Sequence, residues 1–116
     1  EGPAGALVFV ADPAVGEAAS RDPLYHNIVS TRLGWDIIEW CRWFETASGS
    51  FPVPLLLMVG TADRIVEPAA TRGLAGRLTG DVTLREWEGL FHELHNEPGK
   101  DEVLAFLVSW LGRHGA

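Results

Sequence analysis

Pro54-Leu55-Leu56-Leu57-Met58-Val59-Gly60-Thr61-Ala62-Asp63 is the stretch on which the fold turns. From Val53 to Val59 the chain is unbroken apolar sequence bounded by Pro and Gly, the pattern of a strand buried on both faces. A second strand is expected over Val82–Trp87, where Val82, Leu84 and Glu86 alternate with Thr83, Arg85 and Trp87. Between them, Glu67-Pro68 opens a helix that runs through Leu74 to about Leu78 and ends at Gly80. Beyond them, Glu97-Pro98 opens a last helix with Val103, Leu104, Phe106, Leu107, Trp110 and Leu111 as its core face. Strand, helix, strand, helix in this order predicts an α/β fold with a right-handed parallel crossover.

Neighbouring parallel strands deliver the loops that follow them to the same edge of the sheet, where ligands bind in open α/β folds. Asp63 lies just beyond the first strand in a turn opened by Gly60, and His92 lies just beyond the second in Gly89-Leu90-Phe91-His92-Glu93. Strands about 4.8 Å apart bring such loops within reach of a carboxylate–imidazole hydrogen bond. Taken singly, an Asp after a strand is a turn or cap residue and a loop His is unremarkable. Their order and matched positions are those of the second and third members of a hydrolytic triad. The first member is absent, since no GxSxG or GxCxG occurs in the chain. Ser20, Ser30, Ser48, Ser50 and Ser109 all lack the strand, tight turn and helix that expose a nucleophile.

Upstream, Asp12-Pro13 reads as an N-cap and first helical residue of a short helix to about Ser20, followed by a loop through Arg21–His26. From Ser30 or Thr31 to about Phe44, Leu33, Ile37, Trp40 and Phe44 recur at threes and fours with Ile38 and Cys41 beside them. This stripe is expected to be helix core, with Cys41 a small core residue and Trp35 and Trp43 on the other side. Thr46–Pro54 reads as a connector, and Leu7-Val8-Phe9-Val10 is too short to assign. The expected division is residues 1–52, a helical segment, and 53–116, the strand-helix-strand-helix unit. Five Trp in 116 residues fit an apolar surface that needs a partner.

A net charge of -7 with nine Lys and Arg argues against a nucleic-acid or anionic-membrane surface, because counterion release needs clustered basic residues. The single Cys41 excludes an internal disulfide and makes a cytoplasmic setting the default. No apolar run approaches the roughly 18 residues of a membrane span. The start lacks Met, a basic region and a cleavage pattern, so it is not read as a signal peptide, and the missing Met suggests a piece of a longer chain. His92, Glu93 and His95 form HExH, not the HExxH pair that places two imidazoles on one helix face, so no metal is expected. Glu93 and Glu97 are expected to set the loop and the start of the last helix, His95 to be a partly exposed loop residue, and His26 a packing or surface residue.

At these residues the chain resembles the monoacylglycerol lipase and lysophospholipase branch of the α/β-hydrolases, in the same broad group as the serine aminopeptidases. The resemblance rests on Pro54-Leu55-Leu56-Leu57-Met58-Val59-Gly60, Ala62-Asp63-Arg64-Ile65-Val66, Gly89-Leu90-Phe91-His92-Glu93-Leu94-His95-Asn96-Glu97-Pro98 and Trp110-Leu111. Asp12-Pro13-Ala14-Val15, Asp22-Pro23-Leu24-Tyr25-His26 and Thr31-Arg32-Leu33-Gly34 are similar to the segment that caps the site in that family. It runs from about Val10 to Leu111. Val59 departs from it, standing where the family has a strand-end His.

The resemblance implies the C-terminal part of an α/β-hydrolase fold, with residues 1–52 cap-like. It assigns Asp63 as triad acid and His92 as triad base of a serine ester hydrolase, with the nucleophile elbow and oxyanion loop before Glu1. Leu33, Ile37, Trp40, Ile65 and Leu90 are the candidate contacts for a small apolar ester or lipid substrate, and no cofactor is implied. Without an oxyanion hole, worth roughly 3 to 4 kcal/mol of transition-state stabilisation, the chain alone is expected to have little or no activity. Two readings stay open: a non-catalytic hydrolase-derived module that binds a partner or ligand, and peptide, thioester or epoxide cleavage by the same acid and base. Two parallel strands also leave an unpaired apolar edge, so self-association is expected unless the missing N-terminal half is supplied.

Overall fold

The computed structural model describes residues 9–26 and 28–115, so Leu7 and Val8 of the run Leu7–Val10 lie outside the described residues. Helix α1 (Pro13–Arg21) begins where expected, with the Asp12 carboxylate accepting from Ala14 N at 2.9 Å and Pro at its first position. Helix α2 (Thr31–Thr46) is capped by Ser30, whose hydroxyl accepts from Leu33 N. Then follow β1 (Gly49–Ser50), β2 (Leu55–Gly60), α3 (Pro68–Arg77), β3 (Leu78–Thr79) and β4 (Val82–Trp87). A 3₁₀ turn at Leu94–Asn96 leads to the last helix, α4 (Lys100–His114).

Strands β2 and β4 pair in parallel, from Leu55 opposite Val82 to Gly60 opposite Trp87, with α3 in the crossover between them. The first strand begins at Leu55 rather than Val53. Pro52 and Pro54 have no N–H to donate, Val53 is exposed, and the ladder starts where Leu55 N donates to Asp81 O at 2.9 Å. The connector differs from expectation too. Gly49–Ser50 pairs in parallel with Leu78–Thr79, so α3 stops at Arg77 and the chain runs extended into Gly80, whose φ of 106° demands glycine. Two-residue strands carry no periodicity that a sequence could reveal.

The core is built on the inner end of this unit. Trp87, Leu94 and Val103 are buried together, with Met58, Leu90 and Phe106 packed around them. Phe106 meets Trp87 edge to face at 5.9 Å, and Trp110 is held to β4 by a hydrogen bond from its Nε1 to Thr83 Oγ1 at 3.1 Å. Of the expected α4 core face, Val103 and Trp110 are buried, while Leu104 and Leu111 are exposed.

The larger correction concerns α2. Leu33, Ile37 and Trp40 are 50%, 51% and 61% exposed, and Phe44, Ile38 and Cys41 are exposed as well. The stripe is therefore not core among the described residues. Helix α2 leans on α3, and its C-terminal end is tied down by Arg77, which donates to Phe44 O at 2.6 Å and Ala47 O at 3.1 Å. Packing of one helix against one neighbour covers only part of its circumference.

Trp87→Ala is expected to remove about 3 to 5 kcal/mol of unfolding free energy, and Trp40→Ala no more than about 0.5 kcal/mol. Urea denaturation of the two variants beside the parent checks this contrast.

Candidate active site

The Asp63 turn and the His92 loop approach each other because the β2–β4 ladder continues past the strands. Thr61 N donates to Trp87 O at 2.9 Å, Ala62 N donates to Leu90 O at 3.0 Å, and the Thr61 hydroxyl accepts from Gly89 N at 2.8 Å. Gly60 is what allows the approach. A Cβ there would collide with the carbonyl oxygens of Leu90 and Phe91. Gly89, at φ 74°, turns the second loop back toward the first.

At the meeting point His92 Nδ1 lies 2.9 Å from Asp63 Oδ2. An ionised carboxylate only accepts, so Nδ1 carries the proton and Nε2 presents its lone pair. Among the described residues Nε2 has no hydrogen-bond partner. The Asp63 side chain is 5% exposed and that of His92 33%, so the carboxylate is enclosed and the imidazole reaches the surface. The other carboxylate oxygen, Oδ1, accepts from Ile65 N at 2.8 Å and Val66 N at 3.0 Å, which fixes the direction in which Oδ2 points. Burial, the largest single influence on Asp63, raises its pKa, but the His92 hydrogen bond, the backbone N–H groups of Val66 and Ile65, and the attraction of His92 together outweigh it. The carboxyl sits below its ordinary value of 3.8.

The His92 ring also has an aromatic neighbour. Phe9 lies edge to face against it at 5.8 Å, and Phe9 O accepts from Glu93 N at 2.8 Å. Glu97 is 1% exposed, and its Oε1 accepts from both Ala11 N and Phe91 N at 3.1 Å. Neither contact was legible. Glu97 before Pro98 signals a helix start, yet its carboxylate turns back into the loop, and Phe9 belongs to the run too short to assign.

The remaining candidates are spread out. Leu90 packs on the Trp87 cluster, Ile65 is exposed beside the Asp63 turn, and Leu33, Ile37 and Trp40 stand on the open face of α2. His95 is exposed in the 3₁₀ turn, and His26 is exposed in the loop before α2. Among the described residues no group of three or more His, Cys, Asp or Glu gathers as metal ligands, and no helix is long and apolar enough to cross a membrane. Three of the serines are engaged otherwise: Ser20 donates to Glu17 O, Ser30 caps α2 and Ser109 accepts from Arg113.

A family model described as serine aminopeptidase, S33, matches residues 6–99. The chain belongs to the S33 serine aminopeptidase family. Among curated proteins it is 31% identical over 105 residues to a monoacylglycerol lipase of Mycolicibacterium smegmatis, covering 89% of this chain and 38% of that protein. It is 33% identical over 89 residues to the phospholipase YtpA of Bacillus subtilis, covering 75% and 34%, and 31% identical over 102 residues to an uncharacterised abhydrolase domain-containing protein of Dictyostelium discoideum, covering 86% and 11%. A crystal structure of the Paleococcus ferrophilus monoacylglycerol lipase superposes with a TM-score of 0.79 at 31% identity, over 95% of this chain and 44% of that one. The S33 chain described here thus spans less than half the length of each of these relatives. Its fold is α/β, the C-terminal part of an α/β-hydrolase, as the sequence led one to expect.

Two outcomes follow from this geometry. Gly60→Ala is expected to cost at least about 3 kcal/mol, at or beyond the upper end of ordinary overpacking, measured by urea denaturation, because backbone and not a movable side chain stands in the way. Asp63 binds its proton less readily folded than unfolded, so the stability it contributes is complete above about pH 4 to 5 and is lost as pH falls through its lowered folded value. The drop in urea midpoint between pH 7 and pH 3 should therefore be smaller in Asp63→Asn than in the parent.

Proposed function

We propose that this chain supplies the acid and the base of a serine ester hydrolase of the monoacylglycerol lipase and lysophospholipase type, whose nucleophile lies outside these 116 residues. The observation that carries the reading is the 2.9 Å bond from His92 Nδ1 to an enclosed Asp63 carboxylate, with Nε2 lacking a hydrogen-bond partner among the described residues. Membership of a hydrolase family and the names of two relatives and one solved structure, lipases and a phospholipase, support the substrate class.

In this mechanism His92 Nε2 takes the proton from a serine hydroxyl as Oγ attacks the ester carbonyl, giving a tetrahedral oxyanion. The imidazolium so formed is stabilised by Asp63, which stays ionised because its pKa is held low. His92 then returns the proton to the departing alcohol, leaving an acyl-enzyme. Water enters, His92 removes its proton as it attacks the acyl carbon, and the same proton goes to the serine as the carboxylic acid leaves. Oxyanion donors come with the nucleophile. Leu33, Ile37, Trp40, Ile65 and Leu90 are proposed to contact the apolar acyl portion, the first three once the rest of the hydrolase faces α2.

Expression of the complete open reading frame that carries this chain provides the test. It is expected to hydrolyse p-nitrophenyl butyrate and to be labelled on one serine by a fluorophosphonate, and His92→Ala and Asp63→Asn should each lower kcat by roughly 10³- to 10⁴-fold. A folded protein that neither hydrolyses the ester nor takes the label would leave the non-catalytic reading, and turnover unchanged in both variants would overturn the roles given to Asp63 and His92.

A further inference from the structure

Glu97 is 1% exposed, and its hydrogen bonds run to the two segments that flank His92. Its backbone belongs to the approach to α4, since Lys100 N donates to Glu97 O at 3.0 Å. Its side chain leaves that helix and enters the loop instead. Oε1 accepts from Phe91 N, the residue before His92, and from Ala11 N, two residues beyond the Phe9 ring that lies against the imidazole. Oε2 is buried with no partner among the described residues.

We propose that Glu97 is a positioning residue for His92, the carboxylate that fixes the histidine loop between α4 and the Phe9–Ala11 segment. The proposal rests on the hydrolase reading above. Backbone pairing with the Asp63 turn reaches only as far as Leu90, through Ala62 N. From Phe91 onward the loop is held by Glu97 Oε1 at Phe91 and by Phe9 O at Glu93, one contact on each side of His92. Both lead to the same Phe9–Ala11 segment, and Glu97 fastens that segment as well. Removing the carboxylate therefore loosens the backbone next to His92 and the segment that carries Phe9, and a histidine that swings by an ångström no longer lines up with the serine it must deprotonate.

The length of the side chain and its charge are separable. Glu97→Gln keeps the reach and one carbonyl oxygen able to accept both N–H groups. Glu97→Asp keeps the charge but is one methylene too short to meet Ala11 and Phe91 together. In the protein expressed from the complete reading frame, with p-nitrophenyl butyrate as substrate and assays below each variant's unfolding transition, Glu97→Asp should lose about 10²-fold in kcat with KM within twofold. Glu97→Gln should retain kcat within about threefold.

An Asp variant as active as the parent, or a Gln variant as impaired as the Asp variant, overturns the proposal. So does a fall in melting temperature in both with kcat unchanged, which marks a role in stability alone. The parallel His92→Ala enzyme separates the two readings. If it is inactive while Glu97→Asp is normal, only the Glu97 inference fails; if it is fully active, the acid-base reading itself has failed.

Discussion

The parallel pairing of Leu55–Gly60 with Val82–Trp87 governs the rest of the structure, because its hydrogen bonds do not stop where the strands end. Thr61 and Ala62 carry the ladder onward to Trp87 and Leu90, and the Thr61 hydroxyl adds a contact to Gly89. Two loops that follow different strands are thereby zipped together over their first residues, and Asp63 and His92 are delivered to each other with little freedom left to lose. Gly60 is the steric condition for this. Any side chain there would set a Cβ against the carbonyl oxygens of Leu90 and Phe91 and push the second loop away.

The electrostatics follow from the same closeness. Asp63 is enclosed, which by itself favours the neutral acid, yet it receives two backbone N–H groups and an imidazole N–H, so it remains an anion that prefers a proton on His92 Nδ1. A carboxylate held this way orients its partner and stabilises the partner's positive charge without taking the proton itself. In the proposed mechanism proton transfer is left to the other ring nitrogen, Nε2.

How far the sequence disclosed this depends on the range over which each feature is encoded. Six-residue strands with bounding Pro and Gly, and helices with caps, are local patterns, and β2, β4, α1 and α2 appear close to where the periodicity puts them. The Asp63–His92 contact was legible because parallel topology converts sequence order into spatial neighbourhood. Glu97 was not, because a Glu before Pro at a helix start gives no sign of where its side chain points. The stripe on α2 misled for a different reason: periodicity reports that a face is apolar, and what covers it depends on residues elsewhere. Leu33, Ile37 and Trp40 stand exposed here.

The central claim, that the free face of His92 serves a serine outside these 116 residues, is tested most directly by a crystal structure of the complete protein after reaction with a fluorophosphonate. The account predicts a single phosphonylated serine whose Oγ lies within about 3.2 Å of His92 Nε2, with the Asp63 bond to Nδ1 intact. A labelled serine remote from His92, or His92 turned away from Asp63 in the reacted enzyme, would contradict it.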